Sequence, residues 1–316
     1  MQKMENSRSI TTSAVVAAFI FIISSLVFMN FTYDNVKKDV LASIRDIENR
    51  NIALLKQNLQ INRDFVASIA MTLGRLTPEL NSPEAIRFLR EQDWLTDFGA
   101  LYLVNTEGNM YFGSSIPQEE REYYKTLMSE NGSNSDIRVI SSGSGKNLTI
   151  NASIIHQNKP IGVLSAKFYK DRLNGIVTFD IFKGRGYCYL LSRDGTIIAR
   201  SDDDSTNKDA VVLGDLFSSV PGGDEGSKYH TAIADAMKKG LPGETVYPMK
   251  GGNRVVSYVP VGIADMYLIT SIPEDVVFSA ASGYFFNGLA FVIMAMGTFG
   301  LFMYFFFNAI KKNSDI

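Results

Sequence analysis

Arg121, Tyr123 and Tyr124 form the group of side chains best suited to binding chemistry in this 316-residue sequence. A helix is predicted to begin near Pro117, because proline and the two glutamates that follow suit a first helical turn. On that helix Arg121 and Tyr124 are three positions apart and share one face. An arginine can hold a carboxylate with two parallel hydrogen bonds. The pattern therefore predicts a site for a small carboxylate or another anion.

Arg121 also has a purely structural interpretation. It could pair with Glu119, Glu120 or Asp136 at the surface, where ion pairs are common and weak. Lys167 supplies a second positive charge in the binding interpretation and is a surface residue in the structural one. The predicted ligand-binding set comprises one arginine, two tyrosines, one aspartate and one lysine: Arg121, Tyr123, Tyr124, Asp136 and Lys167.

The sequence offers little for catalysis, metals or nucleic acid. Residues 222–226 read GGDEG, one residue short of a cyclase motif, but they lie in a loop rich in proline and glycine. The single cysteine, Cys188, lies in an alternating strand pattern that favours a buried thiol over a nucleophile. The two histidines have no visible catalytic or zinc-binding partners. The net charge of −2 argues against nucleic-acid binding, which needs a basic face. We therefore predict no enzyme, no metal, no cofactor and no nucleic-acid partner.

Two uncharged segments predict membrane-spanning helices. Residues 10–33 are 24 positions without a charge, and residues 276–310 are 35 such positions with an apolar centre at 284–307. About 20 apolar residues suffice to cross a bilayer. A cleaved signal peptide is the alternative for the first segment, although its apolar stretch exceeds the ~7–15 residues of a signal core. Basic residues flank both segments on their outer sides, which places residues 1–9 and 309–316 in the cytoplasm and spans at 10–33 and 284–308.

Between the spans, the sequence predicts an α+β region in which a long helix precedes two similar modules. Residues 34–75 contain no proline and carry an amphipathic apolar stripe, which favours a helix about 60 Å long. Residues 102–111 align with 189–198, each as a strand, a tight glycine turn and a second strand. Residues 147–154 resemble 253–260, and residues 160–166 resemble 265–271. We therefore predict a membrane-distal module at 76–175 and a membrane-proximal module at 176–279.

This organisation resembles the double Cache (dCache) sensor region of bacterial transmembrane receptors, which carries two PAS-like modules. The stretch 120–125, EREYYK, is similar to the family's Asp-Arg-Glu-Tyr-Phe motif, and residues 141–154, 162–166 and 193–199 match further patterns. The resemblance implies an extracytoplasmic sensor in the plasma membrane of a bacterium, of the histidine kinase, chemoreceptor or diguanylate cyclase type. In amino-acid sensors of this family an aspartate that binds the ligand amine stands where this sequence has Lys167, and a tryptophan stands at Tyr123. A lysine would repel an ammonium group.

Two functions follow as hypotheses. The first is a sensor whose distal module binds a small molecule and transmits the signal across the membrane. The alternative is a non-sensing structural or adaptor protein that binds another protein. Few residues follow the second span, so we expect the output from a cytoplasmic partner or from a C-terminal domain outside this sequence. Small residues at 13, 14, 17, 18, 297 and 300 and the long apolar stripe predict a parallel homodimer.

Overall fold

The computed structural model describes residues 2–93, 98–113, 124, 135–142, 145–179, 181, 184–201, 209–217, 224–249 and 252–314. They divide into two compact units. One unit comprises residues 46–274, and the other comprises residues 1–45 together with 275–316.

The unit formed by the two ends of the chain is helical. Helix α1 (Gln2–Leu76) begins in it, and helix α6 (Glu274–Ser314) completes it. Residues 286–306 of α6 have a mean hydropathy of 2.0, and both helices are long and apolar enough to cross a membrane by length and composition. Gly288 lies against Met29, whose Cγ would be 3.4 Å from an added Cβ. Among the described residues, none comes within 4 Å of a Cβ added at Gly297 or Gly300.

The distal sheet has five strands in the order β2-β1-β5-β4-β3. Its strands are β1 (Ala100–Asn105), β2 (Met110–Phe112), β3 (Ser135–Ser142), β4 (Gly145–His156) and β5 (Lys159–Lys167), and helix α2 (Pro83–Asp93) precedes them. All its strand pairs are antiparallel. The β1–β2 hairpin turns at Gly108, whose φ of 84° suits glycine.

The proximal sheet repeats this topology in the order β7-β6-β10-β9-β8. Its strands are β6 (Tyr187–Ser192), β7 (Ile197–Arg200), β8 (Gly243–Tyr247), β9 (Arg254–Pro260) and β10 (Met266–Pro273). Helix α3 (Lys170–Val177) precedes the sheet, while α4 (Leu213–Leu216) and α5 (Asp224–Lys238) lie between β7 and β8. A bulge in β1 between Leu103 and Val104 recurs in β6 between Leu190 and Leu191. The predicted α+β fold with two tandem modules is therefore confirmed.

Helix α1 lies directly against strands of both sheets. At its C-terminal end, a Cβ on Gly74 would overlap the carbonyl oxygen of Ile155 in β4, and Gly74 O lies 2.8 Å from Nδ1 of His156. Nearer its middle, Glu48 accepts a hydrogen bond from Ser257 in β9. The amphipathic stripe divides accordingly into two sets. Leu55, Leu59, Val66, Ile69 and Leu73 are buried, whereas Leu54, Ile61 and Phe65 remain exposed.

The polar face of the distal sheet as a candidate site

One face of the distal sheet carries two adjacent rows of mostly polar side chains, because antiparallel pairing aligns residues of the same face across strands. The first row runs Tyr102, Ser165, Asn151, Asp136. The second row runs Ala100, Lys167, Thr149, Arg138. We call these two rows the polar face. Its central residues, Ser165, Asn151 and Thr149, are buried, so the polar groups form the floor of the candidate site.

A hydrogen-bond network fixes the β3–β4 half of the polar face. Arg138 donates from Nε to Oδ2 of Asp136 over 2.6 Å. Asn151 donates from Nδ2 to Oδ1 of Asp136 at 3.3 Å and to Oγ1 of Thr149 at 3.4 Å. Both oxygens of the Asp136 carboxylate therefore hold neighbouring side chains. Asp136 orients Arg138 and Asn151, and the guanidinium, which is still partly exposed, is the group that can meet an anion.

Tyr124 covers the β1–β5 half of the polar face. Its hydroxyl donates to Oγ of Ser165 over 2.8 Å. The ring is fully buried with Tyr102, Val104 and Val163. Tyr124, one of the predicted site residues, thus lies on the same face of the sheet as Lys167.

Lys167 lies at the end of β5, opposite Ala100 and Thr149. It is half-buried and makes no hydrogen bond or ion pair with any residue that the structure describes. Its amine is therefore a positive charge on the polar face that no described neighbour neutralises. Arg121 and Tyr123 lie outside the described residues, so their part in the site stays a prediction.

The corresponding face of the proximal sheet has a different character. Tyr187, Tyr189, Ile269, Tyr267 and Val256 occupy it and pack into an apolar core with helices α4 and α5. Phe217 and Tyr247 make an edge contact there, with ring centroids 4.9 Å apart. Burial first, and the neighbouring Tyr187 second, raise the pKa of the Tyr247 hydroxyl to about 12. The two modules share a topology, but the distal one presents hydrogen-bonding groups where the proximal one is filled with side chains.

The register corrects the alignment of the closing strands by one residue. Sequence similarity matches Ser165 with Thr270 and Asn151 with Ser257. In the sheets Tyr102 pairs with Ser165, whereas its counterpart Tyr189 pairs with Ile269, so Ser165 corresponds to Ile269. Because successive side chains of a strand point to opposite faces, Ser257 and Thr270 lie on the face towards α1.

The remaining candidates do not form a second reactive site among the described residues. Cys188 is fully buried, and burial, together with the charge of Glu48, raises the pKa of its thiol to about 12 despite a hydrogen bond with Thr270. The thiol is therefore inert, as its strand pattern predicted. No group of three His, Cys, Asp or Glu side chains that could hold a metal occurs in the part of the chain that the structure describes. Residues 202–208 and 218–223 lie outside the described residues, and the first two glycines of the GGDEG stretch are among them.

Sequence reasoning did not identify Arg138, Asn151, Thr149 or Ser165 as site residues. The polar alternation at 136 and 138 and at 147, 149, 151 and 153 was visible in the sequence. That alternation marks a polar sheet face. Only the strand register places these residues beside Lys167.

Comparisons with known proteins agree with this architecture. A sequence profile of the Cache domain matches residues 28–281. The ligand-binding domain of the amino acid chemoreceptor PctB of Pseudomonas aeruginosa PAO1, solved in complex with L-Gln, is 21% identical with a TM-score of 0.51. The alignment covers 75% of this chain and 92% of that one. A comparison with curated protein sequences found no match.

Two further solved structures are similar. The ligand-binding domain of chemoreceptor CtaA of Pseudomonas fluorescens, in complex with L-isoleucine, gives a TM-score of 0.55 at 16% identity over 78% of this chain and 98% of that one. The extracellular domain of the putative histidine kinase mmHK1S-Z3 gives 0.53 at 15% identity over 77% and 98%. At these identities the likeness concerns the fold alone.

Proposed function

The chain belongs to the Cache domain family, and from that premise we propose that its distal module binds a small carboxylate or another small anion. Cache domains are extracytoplasmic ligand-binding parts of membrane receptors, so a sensor role agrees with the family. The observation that carries the anion proposal is the polar face. It presents the partly exposed guanidinium of Arg138 and the amine of Lys167, which no described neighbour neutralises, whereas the same face of the proximal sheet packs into a core.

The chemistry of these groups supports an anionic ligand. A ligand anion that meets Arg138 and Lys167 gains charge-assisted hydrogen bonds, which are about twice as strong as neutral ones. Asn151, Thr149 and Ser165 supply neutral hydrogen-bonding groups on the same floor. Tyr124 covers one end of it. Arg121 and Tyr123, which lie outside the described residues, stay predicted members of the site. Asp136 supports the ligand by holding Arg138 and Asn151 in position.

Lys167 also argues against the class of ligands named with the similar chemoreceptors. Those structures contain L-Gln, L-isoleucine and other amino acids, which carry an ammonium group. A lysine amine facing the ligand repels that group at short range. We therefore propose that this protein prefers anions without an α-ammonium group.

The test is binding to the full chain in lipid nanodiscs, measured by isothermal titration calorimetry after a thermal-shift screen of mono- and dicarboxylates, phosphate and amino acids. We expect a carboxylate or phosphate to bind, and Lys167→Asp to weaken it by at least about tenfold because one attraction becomes a repulsion. Lys159→Asp at the other end of β5 makes the same charge change away from the polar face and is the control. Equal affinity in wild type and Lys167→Asp would refute the assignment. A chain that binds none of these compounds would favour the adaptor alternative.

We further propose that both termini lie in the cytoplasm and that the protein is a parallel homodimer in the bacterial plasma membrane. The uncovered Gly297 and Gly300 support close approach by another helix. The signal would travel through α1 and through β10, which is followed directly by α6. Cross-linking of the full chain in native membranes tests the association, and a purely monomeric product would exclude the dimer.

A further inference from the structure

A second set of polar residues lies on the other side of the proximal sheet, facing α1. The cross-strand row Cys188, Thr270, Ser257, Glu244 occupies four neighbouring strands. The corresponding row of the distal sheet is Leu101, Ala166, Ile150, Ile137. The two modules thus differ at this row, which is apolar in the distal sheet and largely polar in the proximal sheet.

Helix α1 meets this row with a charged residue. Glu48 is 1% exposed, and its Oε2 accepts a hydrogen bond of 2.6 Å from Oγ of Ser257. Thr270 lies beside Ser257 and contacts the Cys188 thiol, with Oγ1 and Sγ 3.5 Å apart. The backbone N–H of Cys188 donates to Oγ of Ser201 over 3.0 Å, and the backbone N–H of Ser201 donates to the carbonyl oxygen of Cys188 over 2.8 Å. The carboxylate is therefore inserted into a continuous polar patch.

A buried carboxylate is a costly way to hold two surfaces together. An apolar contact of the same volume is often equally stable or more so, because desolvating a charge is expensive. Apolar contacts, however, are non-directional, and a helix can shift over them at little cost. A 2.6 Å hydrogen bond is lost once the helix moves by one residue, which is 1.5 Å. A buried polar contact therefore favours one position over its neighbours.

Asn51 indicates that the observed position of α1 on the proximal sheet does not satisfy every polar group in the contact. It lies one turn beyond Glu48 on the same face of α1 and is 4% exposed. Its Nδ2 has no hydrogen-bond partner among the described residues. A buried unpaired donor costs free energy in the closed contact and regains partners when water enters. The contact thus combines a directional bond that closes it with an unpaired donor, Asn51 Nδ2, that favours opening.

We propose that Glu48 is the positioning residue of helix α1 on the proximal sheet and that its bond with Ser257 is a polar latch, which opens locally without unfolding of the protein. This deepens the proposed sensor function, since it names the contact that must open before α1 can shift against the proximal module. At the distal sheet the directional contact of α1 is a backbone one, between the carbonyl oxygen of Gly74 and Nδ1 of His156.

The only cysteine of the chain reports on the latch. Cys188 lies behind Thr270, is fully buried and has a thiol pKa raised to about 12, chiefly by burial. It can react with N-ethylmaleimide only when the contact between α1 and the sheet opens. Its labelling rate in the full chain, followed by intact mass spectrometry in nanodiscs without any ligand, therefore measures the opening equilibrium.

Ser257→Ala removes the donor of the latch and should accelerate labelling by at least about tenfold. Ser257→Thr keeps the hydroxyl and should stay near the wild-type rate. Asn51→Leu removes the unpaired donor and should slow labelling. The matched control is Ile150→Val at the distal counterpart of Ser257, which lowers global stability slightly and should leave the Cys188 rate within about twofold.

The latch is refuted if Ser257→Ala and Ile150→Val accelerate labelling equally at equal loss of melting temperature, because Cys188 would then report global unfolding. An unchanged rate in Ser257→Ala, or faster labelling in Asn51→Leu, would refute it as well. Asn51→Leu gives the decision even if Ser257→Ala does not fold. Because no ligand is present, failure of the latch leaves the ligand proposal standing, and failure to bind any anion leaves the latch standing.

Discussion

The hydrogen bond from Tyr124 to Ser165 joins Tyr124 to strand β5 of the polar face. In Tyr124→Phe the ring still packs on Tyr102, Val104 and Val163, but the hydroxyl that meets Ser165 at 2.8 Å is lost. Both residues are fully buried, so Ser165 cannot turn to water instead. The net loss of a neutral hydrogen bond is about 1 kcal/mol, and the unpaired partner adds about 1 kcal/mol more.

We therefore expect Tyr124→Phe to destabilise the protein by about 2 kcal/mol, which lowers the melting temperature by about 4–8 °C for a unit of this size. Ser165→Ala should cost a similar amount, because it removes the oxygen to which the buried tyrosine hydroxyl donates. The double variant should be less destabilised than the sum by at least ~1 kcal/mol, since neither partner is then unpaired. Thermal unfolding of the full chain in nanodiscs, followed by near-ultraviolet circular dichroism, measures all three.

Tyr102→Phe is the matched control. It also removes a tyrosine hydroxyl from this cluster, but the Tyr102 hydroxyl has no hydrogen bond with any described residue. The free energy of unfolding should therefore change by less than ~0.5 kcal/mol. Additive effects of Tyr124→Phe and Ser165→Ala, within ~0.3 kcal/mol, would show that the two groups do not interact. The reasoning would then be wrong even if each single variant were destabilised.

Two other predictions concern stability. Gly74→Ala places a methyl group on the Ile155 carbonyl and should lower the free energy of unfolding by ~1–3 kcal/mol, measured by thermal unfolding. Gly175→Ala, at an exposed position of α3 with no described atom within 4 Å, is the control and should raise it by ~0.5–1 kcal/mol. A neutral Gly74→Ala would contradict the close packing of α1 on β4. Burial acts to raise the pKa of Asp194, but hydrogen bonds from Lys146, Ser192 and Thr196 outweigh it and hold the pKa well below its usual range. A lowered folded pKa means that the carboxylate stabilises the protein above the unfolded pKa of about 4 and progressively less as the pH falls below it. Asp194→Asn should therefore lower the melting temperature at pH 7, modestly because the side chain is more than half exposed, and the difference from wild type should narrow below pH ~4; a constant difference would contradict the assignment.

Local sequence patterns were sufficient to predict the two repeated modules, but not the strand order of their sheets. Each hairpin combines strand alternation with a glycine turn, so residues 102–111 and 189–198 identify both modules before any contact is known. The long uncharged segments identify the terminal helices in the same way. Tyr124, Asp136 and Lys167 were placed in one site and do share one region of the sheet.

Properties that depend on register could not be read from one sequence. Ser257 and Thr270 resemble Asn151 and Ser165 in type and spacing, yet a shift of one residue turns them towards α1. For the same reason the stripe on α1 was treated as one surface. Leu54 and Leu55 are neighbours in sequence, but only Leu55 is buried, because which face meets the sheets is decided by tertiary contacts.

The ion pair between the modules sets a rule for building chimeric receptors. Lys146, at the start of β4 in the distal module, lies 2.5 Å from the Asp194 carboxylate in the β6–β7 turn of the proximal module. If a transplanted distal module lacks a cation at this position, the Asp194 carboxylate loses its ion-pair partner. Hybrids made with the distal module of a relative should therefore be chosen for a lysine or arginine at position 146, or should carry Asp194→Asn from the outset. The junction between modules thus has a charge requirement that a boundary drawn along the chain alone does not reveal.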